Sequence, residues 1–447
     1  MRSFDIGRRF LRYYQDSGFK LLSSTSLLDP SVPMAFVMSA GLGQIEELAE
    51  QGSQKGNRYV LLQKCFRHFD LDKIGKSNVH LSLFEMPGAF SFGQDSREET
   101  LERIWLFLTE ELGFDQRRLW ATHFGGGEIL EHQLDADEET YQAWQRIGLP
   151  SPRLVALGVD DNFWKQGTGI SGGQVLRKCG PTTEVFFDRG PEWSCGPNCR
   201  PSCQCGRFVE FVNSLFIFSR VDEKTQALVT LDEPFTETVI GNERAAMLLQ
   251  GKLSVFEIAS IAPLIEWVQS FYKRKFSDAV DCVRNERVIV DYIRALVFLT
   301  ADGAPAPGKG GRHRIMRMLI RGVLTHQKVL GIADPDFVPS LITATIGLYQ
   351  SDYPEVKEGH TRLLTYLSTE GERFEKTLSK AHRRLERLIQ REGNSSISGE
   401  QALKLVKNYG FPLPLLEVTL AQKDIQFNRQ EYGQALTRWR QTLVGAR

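Results

Sequence analysis

Hydrophobic spacing changes period once along this chain, close to residue 250, and that switch limits the folds open to it. Before it, short apolar runs that alternate or cluster as strands do recur at 60–66, 79–92, 119–124, 184–221 and 228–244. After it, 255–276, 281–300, 314–329, 337–348, 356–391, 399–409 and 430–443 carry apolar residues at helical spacing. A sheet-rich half followed by a helical half predicts an α+β chain with units at 1–250 and 251–447. At 447 residues the chain exceeds one ordinary core, so two or three domains are expected. Within the first half, helices are expected over 3–19, 100–112 and 135–147, the last capped by Asp135 or Asp137. The proline-broken apolar run 26–43 is expected as a buried strand.

Charge is balanced, with 55 Lys plus Arg against 55 Asp plus Glu. No global field therefore draws the chain to nucleic acid, and any such surface must be local. The opening residues scatter charge rather than forming a signal-peptide core, and no window approaches ~18 uncharged apolar residues. A cytoplasmic protein without membrane contact is the expectation. The 7 cysteines then read as thiols or metal ligands rather than disulfides. Cys195, Cys199, Cys203 and Cys205 form C-x3-C-x3-C-x-C among the turn formers Gly196, Pro197 and Pro201. That set suits a closed, structural Zn²⁺ site, with unbound thiols as the alternative.

Residues 63–93 combine an early arginine, a polar loop over 70–76 and a dense aromatic run. A hairpin of this kind can carry Arg67 on its floor and stack a flat ring on Phe84, Phe90 or Phe92. The plainer reading is a core hairpin with one solvated arginine. The G-x-G-x-x-G at 167–172 lacks a surrounding βαβ unit, which removes it as a dinucleotide fingerprint. Between Asp302 and Asp334 no acidic residue occurs, while Lys309, Arg312, Arg314, Arg317, Arg321 and Lys328 accumulate. A basic helix after a Gly/Pro-rich loop can follow phosphates, and a solvated face competes with that reading.

The string Arg67…His80…Phe84-Glu85-Met86-Pro87-Gly88-Ala89-Phe90-Ser91-Phe92-Gly93 resembles motif 2 of class II aminoacyl-tRNA synthetases in the form found in alanyl-tRNA synthetases. Asp29, Pro30, Phe36, Ala40 and Gly41 are similar to that family's motif 1, and Glu237–Arg244 to its motif 3. Asn162-Phe163-Trp164, the run from Cys179 to Glu184, and Glu210 with Asn213 match further family elements. The resemblance implies a class II antiparallel sheet flanked by helices. It implies ATP and Mg²⁺ as cofactors, ATP contacts from Arg67, His80, Met86, Phe90 and Arg244, and amino-acid contacts from Trp164, Asn213, Glu237 and Gly241. Guanidinium suits the phosphate role because it is always charged and forks onto two oxygens. The basic stretch resembles the family's acceptor-stem element, which implies tRNA contacts from Lys309, Arg312, Arg314, Arg317 and Arg321.

Several positions depart from the family pattern. Glu237 stands for an aspartate, Val239 for the first motif 3 glycine, and Val79, Pro87 and Ala89 for arginine, leucine and asparagine. Lys309 replaces an asparagine used near the wobble pair, and Met318 and Gly322 replace the second arginine of each pair. The family's editing domain and C-terminal module do not follow, and no His-x3-His signature occurs, so clearance of mischarged product is not expected. The leading expectation is ATP-dependent activation of alanine or another small amino acid and transfer to the 3′ end of tRNA. Alternatives are a paralogue that hands its adenylate to a carrier protein or small acceptor, and a non-catalytic regulator that binds amino acid or tRNA. Oligomeric state is not legible from the sequence.

Overall fold

A computed structural model describes residues 1–29, 35–93, 95–129, 132–166, 177–222, 227–273, 281–392 and 396–444. The glycine-rich segment 167–172 and Pro30 fall outside them. The chain divides into two units: 1–68 with 78–260, and 69–77 with 261–447. The observed division thus falls ten residues later than the change in periodicity, and it assigns the tip of the 63–93 stretch to the helical unit.

The first unit is built on one sheet. Helix α1 (Ser3–Asp16) buries Ile6, Phe10 and Tyr14 at helical spacing. It is followed by β1 (Lys20–Leu21), α2 (Leu42–Gln51), β2 (Arg58–Phe66) and β3 (Leu83–Phe92). Then come α3 (Arg97–Leu106), β4 (Leu119–Phe124) and the small hairpin β5 (Gly127–Ile129) and β6 (His132–Leu134). Next are α4 (Glu138–Ile147), β7 (Leu154–Leu157), α5 (Val159–Asn162), β8 (Phe163–Lys165), β9 (Arg177–Asp188), β10 (Phe208–Val221), β11 (Leu228–Ile240) and α6 (Asn242–Leu249). The sheet runs β1-β2-β3-β11-β10-β9-β4-β7, with β8 added on β9. Its centre is antiparallel, and β1/β2 and β4/β7 are parallel edge pairs. Side chains alternate between faces along each strand. One face carries Tyr59, Leu61, Phe90, Phe92, Leu215, Ile217 and Phe235 against Leu42 and Ile45 of α2.

Three expectations are corrected here. The second strand of the hairpin starts at Leu83 rather than residue 79, because the backbone before it is already spent: Val255 N–H donates to Asn78 O, Arg244 Nε to Val79 O, and Arg67 N–H to Ser82 O. Residues 35–41 form no strand; Val37 bridges, donating to Leu27 O and accepting from Phe66 N–H, and Gly41 opens α2 at φ 78°. The helix expected over 100–112 widens into a π turn at Phe107–Glu111. Asp137, rather than Asp135, caps α4 by accepting from Thr140 N–H.

The second unit is helical: α7 (Ala262–Gln269), α8 (Cys282–Ala301), α9 (Gly311–Val329), α10 (Phe337–Tyr349) and α11 (His360–Glu392). A two-residue strand β12 (Ser396–Ile397), then α12 (Gly399–Tyr409), α13 (Leu413–Ala421), β13 (Gln426–Phe427) and α14 (Arg429–Val444) complete it. Pro263, in the first turn of α7, starts that helix where one helix over 255–276 was expected, and α13 is a helix the periodicity missed. Phe374, Leu378, Ala381 and Leu385 of α11 pack with Leu405, Phe411 and Leu416 in one apolar cluster. Residues 69–77 join this unit through Tyr292 Oη, which donates to Leu71 O. No described helix is long and apolar enough to cross a membrane.

Two glycines test this packing with opposite sign. A Cβ on Gly180 would lie 1.9 Å from Phe216 O, inside the irregular stretch of the β9–β10 ladder. Gly347, within α10, has nothing within 4 Å of the same position. Gly180→Ala should lower the urea midpoint, equivalent to about 2 kcal/mol or more. Gly347→Ala should raise stability by about 1 kcal/mol, because alanine is the better helix former. Equal shifts in one direction would contradict the backbone approach at Gly180.

Candidate adenylation site

The site is assembled on the sheet face that α2 partly covers. Asn213 of β10 lies opposite both Val239 of β11 and Glu184 of β9, while Glu237 lies opposite Phe90 and Leu215. Strand alternation therefore sets Glu237, Asn213 and Glu184 on one face of three adjacent strands, Asn213 directly across from Glu184 and diagonal to Glu237. Asn213 Nδ2 donates to Glu184 Oε1 at 3.3 Å, and Asn213 Oδ1 is buried without a hydrogen-bond partner. An orphaned buried acceptor beside two carboxylates suits a cationic donor such as an ammonium group.

Both carboxylates are hard to ionise. Glu237 is 4 % exposed, and burial, with the nearby Glu46 carboxylate, pushes it up to about 8 against the pull of Arg67. Glu184 is raised well above the usual carboxylate range by burial and by the neighbouring Glu210 and Asp161, while Arg244 pulls it down. Each carboxylate thus answers to one of two arginines far apart in sequence.

Arg67 follows the end of β2 half-buried, with Nε donating to Met38 O at 3.0 Å and its guanidinium 5.0 Å from the centre of the Phe84 ring. Phe84 is the ring the hairpin offers on this floor. Phe90 and Phe92 are 0 % and 2 % exposed and belong to the core, so the expectation of open stacking surfaces there is corrected. Met86 is half-buried across from Gln63, and His80 is half-buried in the segment before β3.

Arg244 sits in the first turn of α6, whose N-cap is Gly241. Its Nη1 donates to Glu210 O at 2.9 Å and to Glu210 Oε2 at 3.0 Å, and its Nε donates to Val79 O at 3.2 Å. The start of α6 is tied to β3 by Glu85 N–H, which donates to Glu243 Oε1, and by Asn242 Nδ2, which donates to Glu85 Oε2. Those bonds fix where Arg244 begins, so motif 2 and motif 3 residues are physically joined.

Trp164 pairs across β8–β9 with Gly180, and its half-buried indole packs against the core at the side of this face. Next to it, Glu46 Oε1 accepts from Lys178 Nζ and from Gln166 Nε2, each at 2.9 Å. Sequence reasoning missed Glu46 and Lys178 and gave Glu184 no role of its own. A salt bridge between a helix and a strand leaves no local pattern, but the carboxylate after Pro181-Thr182-Thr183 was legible.

Away from the sheet face, Cys195, Cys199 and Cys203 place their Sγ atoms within 4.8 Å of one another, and Cys199 Sγ lies 3.5 Å from Cys205 Sγ. Tetrahedral Zn²⁺ at ~2.3 Å from each sulfur spaces the sulfurs ~3.8 Å apart, so the set could hold that ion. Tight turns close the loop, with Cys199 N–H donating to Gly196 O, Cys203 N–H to Arg200 O, and Ser202 at φ 82°. Arg207 is held by both oxygens of Asp188 at 2.8 and 2.7 Å. Against its burial, hydrogen bonds from the Cys195 backbone and the Ser194 side chain favour a thiolate at Cys199.

In the helical unit, Lys309 and Arg314 are exposed and Arg312 and Arg317 are half-buried around the start of α9. Arg321 differs: its Nε donates to the buried Glu370 of α11 at 2.6 Å, and its guanidinium lies over Phe374. Arg321 thus acts here as a strut between two helices.

The family model for class II (A) tRNA synthetases matches residues 5–443. The alanine–tRNA ligase of Thermoanaerobacter sp. (strain X514) is 31 % identical over 442 residues, which are 98 % of this chain and 48 % of that protein. That of Dehalococcoides mccartyi (strain ATCC BAA-2100 / JCM 16839 / KCTC 5957 / BAV1) is 33 % identical over 423 residues, 94 % of this chain and 46 % of that protein. The chain spans about half the length of the curated relatives it matches. Among solved structures, pyrrolysyl-tRNA synthetase from Desulfitobacterium hafniense aligns with TM-score 0.32 at 12 % identity over 57 % of this chain and 72 % of that one. Histidyl-tRNA synthetase from S. aureus aligns with TM-score 0.30 at 10 % identity over 56 % and 67 %. With the family model running through all but the terminal residues, the chain belongs to the class II (A) tRNA synthetases.

Proposed function

We propose that this chain activates alanine or a similarly small amino acid as its adenylate and passes it to the 3′ end of a tRNA. The set of Glu237, Asn213 and Glu184 between Arg67 and Arg244 carries the reading, because it offers anionic and acceptor groups for an ammonium beside two guanidiniums for phosphates. The relatives named alanine–tRNA ligase support the substrate class.

In this reading Glu237 and Asn213 Oδ1 take the substrate ammonium. Trp164 bounds the side chain, and Val239, directly across from Asn213, favours a small one. Arg67 draws the substrate carboxylate to the α-phosphate of ATP. The carboxylate oxygen forms the new P–O bond while the bond to pyrophosphate breaks, and Arg244 exchanges its Glu210 contact for the departing phosphates. Phe84, His80 and Met86 line the hairpin floor beneath the nucleotide, with Phe90 supporting them from the core. Positioning and charge neutralisation supply most of the effect, so no general base is needed. Glu184 and Glu210 are neighbouring carboxylates that would hold Mg²⁺ once Arg244 leaves Glu210, and the ion would supply positive charge to offset pyrophosphate. Lys309, Arg312, Arg314 and Arg317 follow acceptor-stem phosphates, and Cys195, Cys199, Cys203 and Cys205 hold a structural Zn²⁺.

Amino-acid-dependent ATP–pyrophosphate exchange tests the centre of this proposal. Arg67→Ala should lower exchange by roughly a hundredfold or more with an unchanged circular dichroism spectrum. Undiminished exchange would remove Arg67 from the site. Exchange by the wild type without tRNA charging would favour a carrier protein or small molecule as acceptor.

The buried Glu237 gives a pH signature. Its folded pKa of about 8 exceeds the ordinary 4.5, so between those values it is protonated when folded and ionised when unfolded. Its contribution to stability is present below the lower value and is lost as pH rises to the upper one. Ammonium binding needs the carboxylate, so KM for the amino acid should fall about tenfold per unit as pH rises from 6 toward 8. Glu237→Gln should raise KM and flatten that profile; a profile unchanged in the variant would exclude the carboxylate as the titrating group.

Metal analysis checks the thiol loop. The purified chain should carry about one Zn²⁺, and Cys199→Ser should lower both the metal content and the thermal midpoint. Metal-free protein with full stability would leave the cysteines as simple thiols.

A further inference from the structure

Trp439 of α14 is 36 % exposed, and the Lys407 ammonium at the end of α12 lies 4.2 Å from the centre of its ring. An exposed indole beside a cation offers a ring face on which a planar group can stack. Arg440 adjoins Trp439 in sequence, and both are exposed, as is Arg314 in the first turn of α9. Partial burial holds the Lys407 ammonium below the usual lysine range, and Arg440 and then Arg314 lie near enough to add to that effect. No carboxylate is among the groups that shift it. The C-terminus of α12 gives one reason for a lysine at 407, through the helix dipole. It gives none for gathering two further arginines around it. The neighbouring pair Arg438–Glu400, at 3.3 Å, shows that α14 and α12 can match charges where no ligand is awaited.

We propose that Trp439, Lys407, Arg440 and Arg314 form an RNA contact that stacks one unpaired base on the indole and takes the flanking phosphates on the three cations. Single-stranded nucleic acid is bound in this way, by an aromatic platform within a positive groove. Inside a duplex both faces of every base are covered by stacking and only the terminal pair leaves one open, so a splayed, unpaired base is the occupant that fits an indole beside phosphate-binding cations. Arg314 also belongs to the basic start of α9, which makes the surface continuous with the stem-following residues proposed above. The inference rests on that reading of the helical unit and adds the single strand to it.

Fluorescence anisotropy with two labelled RNA hairpins of one stem sequence, one blunt and one with a short single-stranded 3′ tail, separates stacking from general charge. Trp439→Ala should weaken the tailed hairpin roughly tenfold and leave the blunt one within about twofold. Trp439→Phe should keep most of the affinity for the tail. Lys407→Gln or Arg440→Gln should each flatten the slope of log affinity against log salt by about one. Circular dichroism establishes that the variants are folded, which the exposure of all four side chains favours. The proposal is overturned if Trp439→Ala binds the tailed hairpin as the wild type does, if both hairpins are weakened equally, or if the wild type binds neither. ATP–pyrophosphate exchange on the same preparation reports the adenylation reading separately: exchange with an inert Trp439 fails this proposal alone, and absent exchange fails the other.

Discussion

A carboxylate in the middle of a sheet has few ways to hold its charge, and the first unit is arranged around that difficulty. Glu237 and Glu184 sit on adjacent parts of one face where burial opposes ionisation. An uncompensated buried charge costs several kcal/mol. The compensating cations cannot come from the ladder itself, because the neighbouring positions, Leu215, Phe90 and Val239, are apolar. They come from just beyond its strands, Arg67 after β2 and Arg244 in the first turn of α6. The backbones that carry them are pinned: Arg67 N–H donates to Ser82 O, and α6 is bonded to β3 through Glu243 and Asn242. The two guanidiniums are thereby held near the sheet's own carboxylates.

The same bonds explain why regular structure stops where it does. Residues 78–82 continue an apolar run that would extend β3, yet their carbonyls serve Val255, Arg244 and Arg67. Ladder pairing and arginine positioning compete for these groups, and the side of the sheet that holds the arginines gives up the strand. At the opposite side, Gly180 lets β9 run close to the irregular part of β10, where any side chain would meet Phe216 O. Trp164 is carried in by β8 against that glycine. The close approach of β9 to β10 is thus made by a missing Cβ.

Much of this was legible in the sequence, and the parts that were not share a cause. The α+β class, the antiparallel hairpin and most helices of the second unit follow from spacing, which is a property of consecutive residues. The end of β3's run, the π turn at Phe107 and the break at Pro263 depend on which partner takes a backbone group, and spacing carries none of that. In the candidate site, Arg67, Asn213, Glu237 and Arg244 stood in recognisable strings. Glu46 with Lys178, and the burial of Phe90, did not, because each is set by what packs across from it. Phe84 and Phe90 look alike in the string, and only the registration of β3 against β11 and α2 separates the half-buried ring from the core one.

Partnering also decides what the basic helix of the second unit can do. Arg314, Arg321 and Lys328 recur at seven-residue intervals along α9, which places them on one stripe of the helix. Glu370 meets Arg321, and Glu375 meets Lys328 at 2.7 Å, so two of the three are spent on α11. Continuing toward the start of α11, residues 360–366 contain no carboxylate, and among the described residues no ion pair reaches Arg314. Its electrostatic neighbour is Lys407, another cation. A helix that needed its charges only for solubility or cohesion would gain from an acid at that end as it does at the other. Leaving like charges together costs stability, so the unmatched end of the stripe, more than the basic run as a whole, is where an added anion would relieve repulsion.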